Sequence, residues 1–200
     1  LIHLKMKNIY IITLAMLLMP CISFAQSNNP QDIFNKTIKT SAKNAQMLDI
    51  SPDNRYIIYT EETKSDINNN ANLFEGDMPH NTLMLYDCVT NKKIIIATSD
   101  DPFEIEGFGK SIDVNVSNAQ YLKGKVIFVT PAWVTCDAVM IYDIATQNIK
   151  LLSPGFNYFV TSSGSIKIES TTVLENRGRV GYDIYYDVDG NVIRKSDYYD

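Results

Sequence analysis

The chain has 200 residues, with 18 basic and 23 acidic side chains and two histidines, and its net charge is −5. An acidic chain without a basic stripe argues against nucleic acid and anionic lipid as partners. The charge permits a basic protein partner, and it also has the ordinary role of keeping a protein in solution.

The first 25 residues have the pattern of a secretory signal peptide. A basic start at Met6 is followed by an apolar run at 9–22, which is too short for a membrane span, and then by the small-x-small cleavage site Ser23-Phe24-Ala25. Residues 1–5 would then precede the translation start, and Cys21 leaves a lipoprotein as an alternative. We expect cleavage after Ala25 and a periplasmic or secreted protein.

Residues 26–45 are expected to form an N-terminal arm or a short helix. Asn29 could cap a helix that has Pro30 at its first position. Several Thr, Ser and Asn residues dilute helix propensity in this stretch, so a flexible linker is the alternative. A β-repeat domain is predicted for the remainder, residues 46–200.

The first repeat unit, residues 46–99, begins with two strands at 46–51 and 55–61. They are joined by the turn Ser51-Pro52-Asp53-Asn54, whose residue types suit a β-turn. The hairpin Asn81–Ala97 follows, with two apolar runs around a polar turn.

A long polar stretch, residues 62–80, interrupts this first unit and has no hydrophobic period. Such a segment is either disordered or a binding loop. As a binding loop it would present Phe74 as an apolar anchor beside the acidic residues Glu75 and Asp77.

The second unit, residues 107–153, is predicted to have strands at Ser111–Val116 and Lys125–Thr130 before the hairpin Ala138–Leu152. Pro131 is expected to break the second of these strands. The loop Pro131–Asp137 would then be a second binding loop. Its candidate binding residues are Trp133 and Asp137.

The third unit, residues 156–197, is predicted to have strands at Tyr158–Thr161 and Ser165–Glu169, with Thr171–Leu174 as an optional addition. The hairpin Gly181–Arg194 completes it. Asp187-Val188-Asp189-Gly190-Asn191 in this hairpin resembles the start of a calcium loop, but Asp-Gly between apolar strands indicates a turn.

The three hairpins carry a recurring pair, Tyr86-Asp87, Tyr142-Asp143 and Tyr186-Asp187, at offsets of 56 and 44 residues. A repeat of about this length suits a four-stranded unit such as a propeller blade. We therefore predict an all-β protein with three antiparallel four-stranded blade-like repeats, arranged as a partial propeller or a sandwich-like stack. Whether the three units close with another chain stays open.

The stretch from Ser51 to Tyr59, followed by Leu83-Met84-Leu85-Tyr86-Asp87, resembles one WD40-like repeat of the TolB-type β-propellers. The resemblance covers one unit well and the other two poorly. Members of that family mostly bind other proteins, and some are the non-catalytic half of peptidases. The resemblance therefore implies protein binding.

Two cysteines follow the signal peptide, Cys88 and Cys136. In an exported protein such a pair suggests a disulfide, and two buried free thiols are the alternative.

The sequence contains few residues in patterns typical of an enzyme active site. We predict no catalytic residue, no cofactor and no metal site. His80 is the only histidine after the signal peptide, and neither a Gly-x-Ser-x-Gly motif nor zinc-ligand spacing occurs.

The expected function is non-catalytic binding of another protein, in one version as an inhibitor or immunity-type protein of a basic enzyme. The alternative is a carboxylate-dependent hydrolase or an accessory domain on the same scaffold. A hydrolase would need acids such as Asp137 or Asp143 to converge in one pocket.

Overall fold

The computed structural model describes residues 29–74, 79–101, 104–105, 109–110, 114–133 and 136–199. Most of these residues lie in β-strands, and they form three four-stranded antiparallel sheets with neighbours in chain order. The prediction of an all-β protein with three blade-like repeats is thus confirmed. Within the described part, no helix is long and apolar enough to cross a bilayer.

Blade 1 follows the predicted turns. Its strands are β1 (Lys43–Ile50), β2 (Tyr56–Glu62), β3 (Thr82–Asp87) and β4 (Lys92–Ala97). In the turn between β1 and β2, Ser51 Oγ accepts a hydrogen bond of 2.8 Å from Tyr56 N, and Asn54 has a left-handed backbone with φ 59°. Such a backbone is tolerated by Asn, which explains its place in the turn.

Blade 2 begins later than the sequence suggested. A two-stranded sheet, β5 (Glu104–Ile105) and β6 (Gly109–Lys110), precedes it. The strands of blade 2 are β7 (Asn118–Leu122), β8 (Lys125–Trp133), β9 (Cys136–Asp143) and β10 (Ile149–Pro154). The predicted strand at Ser111–Val116 is wrong for its described part: Val114 and Val116 are buried between blades without being strand residues, and 111–113 lie outside the described residues.

Pro131 does not break β8, contrary to the prediction. The pairing of β7 with β8 ends at Asn118 and Val129, so that only β9 continues beside the last part of β8. Proline is tolerated at such an edge, where a ladder hydrogen bond need not be lost. The expected loop Pro131–Asp137 is therefore largely strand.

Blade 3 consists of β11 (Tyr158–Val160), β12 (Ile166–Leu174), β13 (Gly178–Tyr186) and β14 (Val192–Lys195). The optional strand at Thr171–Leu174 is part of β12, which pairs with β13 over its whole length. After β14 the chain returns to β13, where Gly181 and Tyr199 exchange backbone hydrogen bonds of 2.7 and 2.9 Å.

The blades stack face to face through two apolar layers. The layer between blades 1 and 2 includes Ile58, Leu85 and Phe128, and the layer between blades 2 and 3 includes Ile127 and Ile168. All five side chains are fully buried. Burial of this apolar surface is the dominant force that holds the stack together.

The first two strands of blade 1 also contact the first strand of blade 2 through polar and aromatic groups. Asp49 Oδ2 on β1 accepts a hydrogen bond of 2.7 Å from Tyr121 N on β7, and the rings of Tyr56 and Tyr121 stack at 6.3 Å between centroids. These contacts fix how blade 2 sits on blade 1.

A helical segment covers the outer face of blade 1. It runs through Pro30–Ile33, a π-helical turn at Phe34–Ile38, and Lys39–Ser41, and Asn29 caps it by accepting a hydrogen bond of 3.1 Å from Gln31 N. Phe34 packs edge-on against Tyr59 with ring centroids 6.1 Å apart. With this cover β2 is shielded on both faces, which accounts for its continuous apolar sequence.

The recurring Tyr-Asp pairs are explained by turn chemistry. Each aspartate directly follows the buried tyrosine of the third strand. Its Oδ1 accepts a hydrogen bond from the backbone N–H of the residue two positions later in the chain. The distances are 2.9 Å for Asp87 with Val89 N, 2.8 Å for Asp143 with Ala145 N, and 2.9 Å for Asp187 with Asp189 N. The stretch that resembled a calcium loop is thus a hairpin turn, with Gly190 at φ 79°.

Candidate functional site

Both segments that the sequence marked for binding join the second strand of a blade to its third. Residues 63–81 connect β2 to β3, and residues 134–135 connect β8 to β9. The matching connection in blade 3 is residues 175–177. We call the described residues of these connections, together with the adjoining residues 131–133 and 136–137, the connection face.

Asn81 links the connection of blade 1 to the segment that precedes β7 of blade 2. Its Oδ1 accepts a hydrogen bond of 2.8 Å from Val116 N, and its Nδ2 donates one of 3.1 Å to Val116 O. Asn115 N, one residue earlier, contacts Thr130 Oγ1 near the end of β8 at 3.4 Å. The start of β3 is therefore fastened beside the end of β8.

The connection from β2 to β3 is ordered around a short helix, Lys64–Asn70. Thr63 and Asp66 form a capping box: Thr63 Oγ1 accepts a hydrogen bond of 3.2 Å from Asp66 N, and Asp66 Oδ2 accepts one of 2.9 Å from Thr63 N. Disorder is thus wrong for this part of the segment. The Thr-x-x-Asp pattern is the signal by which the sequence could have revealed the helix.

Asp66 also fastens this helix to blade 1. Its side chain is only 1% exposed, and the same Oδ2 accepts a hydrogen bond of 2.8 Å from Thr82 Oγ1. Thr82 Oγ1 in turn lies 3.1 Å from Thr98 Oγ1, just after β4. A buried carboxylate is stable only when it is hydrogen-bonded, and here Oδ2 has three donors: Thr63 N, Thr63 Oγ1 at 2.9 Å and Thr82 Oγ1.

His80, in the connection from β2 to β3, lies close to Ser99, which follows β4. His80 Nδ1 is 3.2 Å from Ser99 Oγ, which also accepts a hydrogen bond of 2.8 Å from Val114 N. A serine beside a histidine has the elements of a nucleophile and its base. Because the Ser99 hydroxyl is already bound by the Val114 amide, we interpret this pair as a tie between loops.

The structure places the predicted binding residues as follows. Phe74 is 84% exposed, beyond the helix, and Glu75 and Asp77 lie outside the described residues. Trp133 is the last residue of β8, and its side chain is outside the described part. Asp137 is half-buried on β9, and burial raises the pKa of its carboxyl group.

The two carboxylates considered for hydrolysis do not converge. Asp137 and Asp143 lie near opposite ends of β9, about 20 Å apart at 3.3 Å per residue. Asp143 instead forms an ion pair with Lys125, which lowers the pKa of its carboxyl group to about 2.

A cavity of about 240 Å³ lies at the opposite end of the stack, between turns of blades 2 and 3. Its charged groups pair with one another. Besides its ion pair with Asp143, Lys125 Nζ lies 3.8 Å from Asp189 Oδ1, and Lys150 donates a hydrogen bond to the backbone carbonyl of Asp189. These contacts join the two blades, and we interpret the cavity as part of that junction.

Of the two cysteines that suggested a disulfide, the structure describes only the side chain of Cys88, and it shows no disulfide there. Cys88 is a free thiol that packs, half-buried, in the layer beneath the N-terminal helical segment. Burial raises the pKa of this thiol, which lowers its reactivity. Among the described residues, no three His, Cys, Asp or Glu side chains are grouped so as to hold a metal ion.

No family model matches the sequence, and no curated protein matches it. Several solved structures are similar in part. The Pyrococcus horikoshii acylaminoacyl peptidase has 12% identity and a TM-score of 0.43, over 80% of this chain and 26% of that one. The β-propeller domain of the Trilobed protease from Pyrococcus furiosus has 15% identity and a TM-score of 0.42, over 78% and 43%.

TolB from Acinetobacter baumannii is similar at 13% identity and a TM-score of 0.28, over 76% of this chain and 42% of that one. The chain thus spans less than half the length of these structures. Similarity at this level carries no argument about activity or partners.

Proposed function

We propose that this protein is an exported, non-catalytic protein-binding module and that it binds its partner with the connection face. The proposal is supported by one observation above the others: the two segments marked for binding in the sequence are equivalent connections of neighbouring blades. Asn81 at the end of the first segment binds Val116, and the adjacent Asn115 contacts Thr130 near the end of β8. A rigid scaffold with irregular connections at one end is a common way to present a binding surface.

Phe74 is the candidate anchor of this surface. At 84% exposure it offers an apolar ring to a partner, and it follows a helix that Asp66 holds against blade 1. Large aromatic residues on an ordered support are typical of interface hot spots. Trp133 at the end of β8 is the second candidate.

A finer version is an inhibitor or immunity-type protein that blocks a basic enzyme. It is supported by the acidic composition, with 23 acidic against 18 basic residues. Complementary charge would speed association with a basic partner and make it sensitive to salt.

A carboxylate-dependent hydrolase is the second candidate. The observation in its favour is the half-buried Asp137, whose raised pKa is a property of general acids. If Asp137 is such an acid, Asp137→Asn will abolish a hydrolytic activity found by screening glycosides and peptides, while Asp101→Asn, at an exposed position, leaves it intact.

The binding proposal is tested by affinity capture from an envelope extract with Phe74→Ala and Trp133→Ala variants. The matched control is Val89→Ala, which removes another exposed side chain (71%) from the turn at the opposite end of blade 1. We expect the captured partner to be lost with the first two variants and kept with the control. Equal capture by all three would refute the proposal.

A further inference from the structure

Within the described residues, no further blade covers the face of blade 3 that blades 1 and 2 bury under the next blade. Tyr199 lies over part of it, beside Gly181, and its hydroxyl donates a hydrogen bond of 3.1 Å to Asp183 Oδ1. Leu85 and Ile141 both lie two residues before the aspartate of their Tyr-Asp pair and occupy the same position on that face, and both are buried. Tyr185 takes this position in blade 3, where it is half-buried and no further blade covers it within the described residues. We call this surface the blade 3 face.

Four side chains form one row across this face, one from each strand. The register pairs Phe159 with Lys167, Lys167 with Tyr185, and Tyr185 with Arg194. Lys167 Nζ lies 5.9 Å from the centre of the Phe159 ring, and Arg194 Cζ lies 4.0 Å from the centre of the Tyr185 ring. Aromatic and cationic residues thus alternate, and each ring is near a cation.

A second row, of carboxylates, lies on the same face two residues further along the strands. Glu169 and Asp183 are paired in register, and Lys167 Nζ contacts them at 3.4 and 3.0 Å. The Glu169 side chain is nevertheless 51% exposed. Arg194 has no carboxylate within ion-pairing distance in the part of the chain that the structure describes.

We propose that the blade 3 face binds the same face of a second copy, with Arg194 of each copy paired to Glu169 of the other. A two-fold axis in the plane of the interface exchanges the two copies. Contact of Arg194 in one copy with Glu169 in the other therefore implies the same contact with the copies reversed. The stacked guanidinium of Arg194 is held in place by the Tyr185 ring, which reduces the entropy lost when it binds a carboxylate.

A second copy fits this face better than a partner of one charge. Cations and carboxylates lie in adjacent rows, so a purely acidic or purely basic partner would meet like charge on one of the two rows. In a second copy related by a two-fold axis, cations can instead lie opposite carboxylates. β12 and β13 have nine residues each, whereas β11 has three and β14 has four. At about 3.3 Å per residue and about 4.8 Å between strands, the face presents roughly 400 Å² per copy, which is less than stable specific interfaces bury. The dimer is therefore expected to be weak and reversible.

The test is sedimentation equilibrium of the purified protein at low salt, from about 1 to about 100 µM. The wild type is expected to dimerise in this range, and Arg194→Glu and Glu169→Arg should each weaken association by roughly tenfold or more. The double variant Arg194→Glu/Glu169→Arg restores the pair with reversed polarity and should recover the dimer. Lys92→Glu, an exposed change on β4 of blade 1, should have no effect.

A monomer at all concentrations would overturn this proposal, as would a dimer that Arg194→Glu leaves unchanged or one that the double variant fails to recover. Circular dichroism of each variant shows whether it is folded, and a variant that unfolds is replaced by Arg194→Gln, which removes only the charge. The proposal does not depend on the connection face, so either can fail without the other.

Discussion

Asp66, which is only 1% exposed, accepts a hydrogen bond of 2.8 Å from Thr82 Oγ1. Through this contact the carboxylate that caps the helix Lys64–Asn70 is also bound to the first residue of β3. This buried side chain therefore contributes to the order of the connection before β3, together with Asn70, whose Nδ2 donates a hydrogen bond of 3.0 Å to the backbone oxygen of His80.

Replacement of Asp66 by alanine should lower the free energy of unfolding by about 2–3 kcal/mol, because the hydrogen bonds of a charged acceptor are lost and Thr82 loses a partner. Urea denaturation measures this change. Asp101→Ala, at an exposed position, is the control and should cost less than about 0.5 kcal/mol. A similar small effect for both variants would mean that Asp66 does not hold the helix.

Gly155 lies in the junction of blades 2 and 3, where there is no room for a side chain. A Cβ atom at this residue would lie 2.8 Å from Ile168 Cγ2 and 3.0 Å from the backbone oxygen of Glu169. Gly155→Ala should therefore destabilise the protein by about 1–3 kcal/mol through overpacking. Thermal unfolding provides the measurement, and an unchanged melting temperature would show that the two blades are less closely packed than described.

Phe34, in the N-terminal helical segment, is 4% exposed and packs on the outer face of blade 1. Phe34→Ala should reduce stability by about 3 kcal/mol, because it removes a buried aromatic ring that packs on Tyr59. Lys36→Ala on the same segment is the control, since its side chain is mostly exposed. Equal unfolding midpoints for the two variants in urea would show that the segment does not stabilise the blade.

Asp143 should make the protein sensitive to acid. Its folded pKa of about 2 is below the ordinary carboxylate value of about 3.9, so its ion pair with Lys125 stabilises the protein fully above about pH 4 and is lost as the pH falls through 2. Asp143→Asn keeps an acceptor for the amides of the turn but removes the charge. The stability difference between wild type and variant should be largest near pH 7 and shrink towards pH 2, and a difference independent of pH would contradict this assignment.

The turns of this fold were predictable from sequence because they depend on local chemistry. Ser51 and Asp53 bind backbone amides within their own turn, and Asp87 does so after β3. Such contacts span only a few residues, so residue types in order are sufficient to indicate them. The strands between these turns followed from alternating or continuous apolar runs.

What the sequence did not reveal depends on contacts between distant residues. Val114 and Val116 have the alternation of a strand, yet Asn81 binds the backbone of both, from 33 and 35 residues away. Thr82, the partner of Asp66, is 16 residues along the chain. The connection face could be anticipated as two separate loops, whereas their position side by side required the stack.

Binding of a protein partner by the connection face can be measured by site-specific photo-crosslinking in the producing cells. A photoreactive phenylalanine analogue is placed at Phe74 in one strain and at Val89, at the opposite end of blade 1, in another. We expect a crosslink to one discrete protein from position 74 and none from position 89. The same crosslinked protein from both positions, or from position 89 alone, would contradict it.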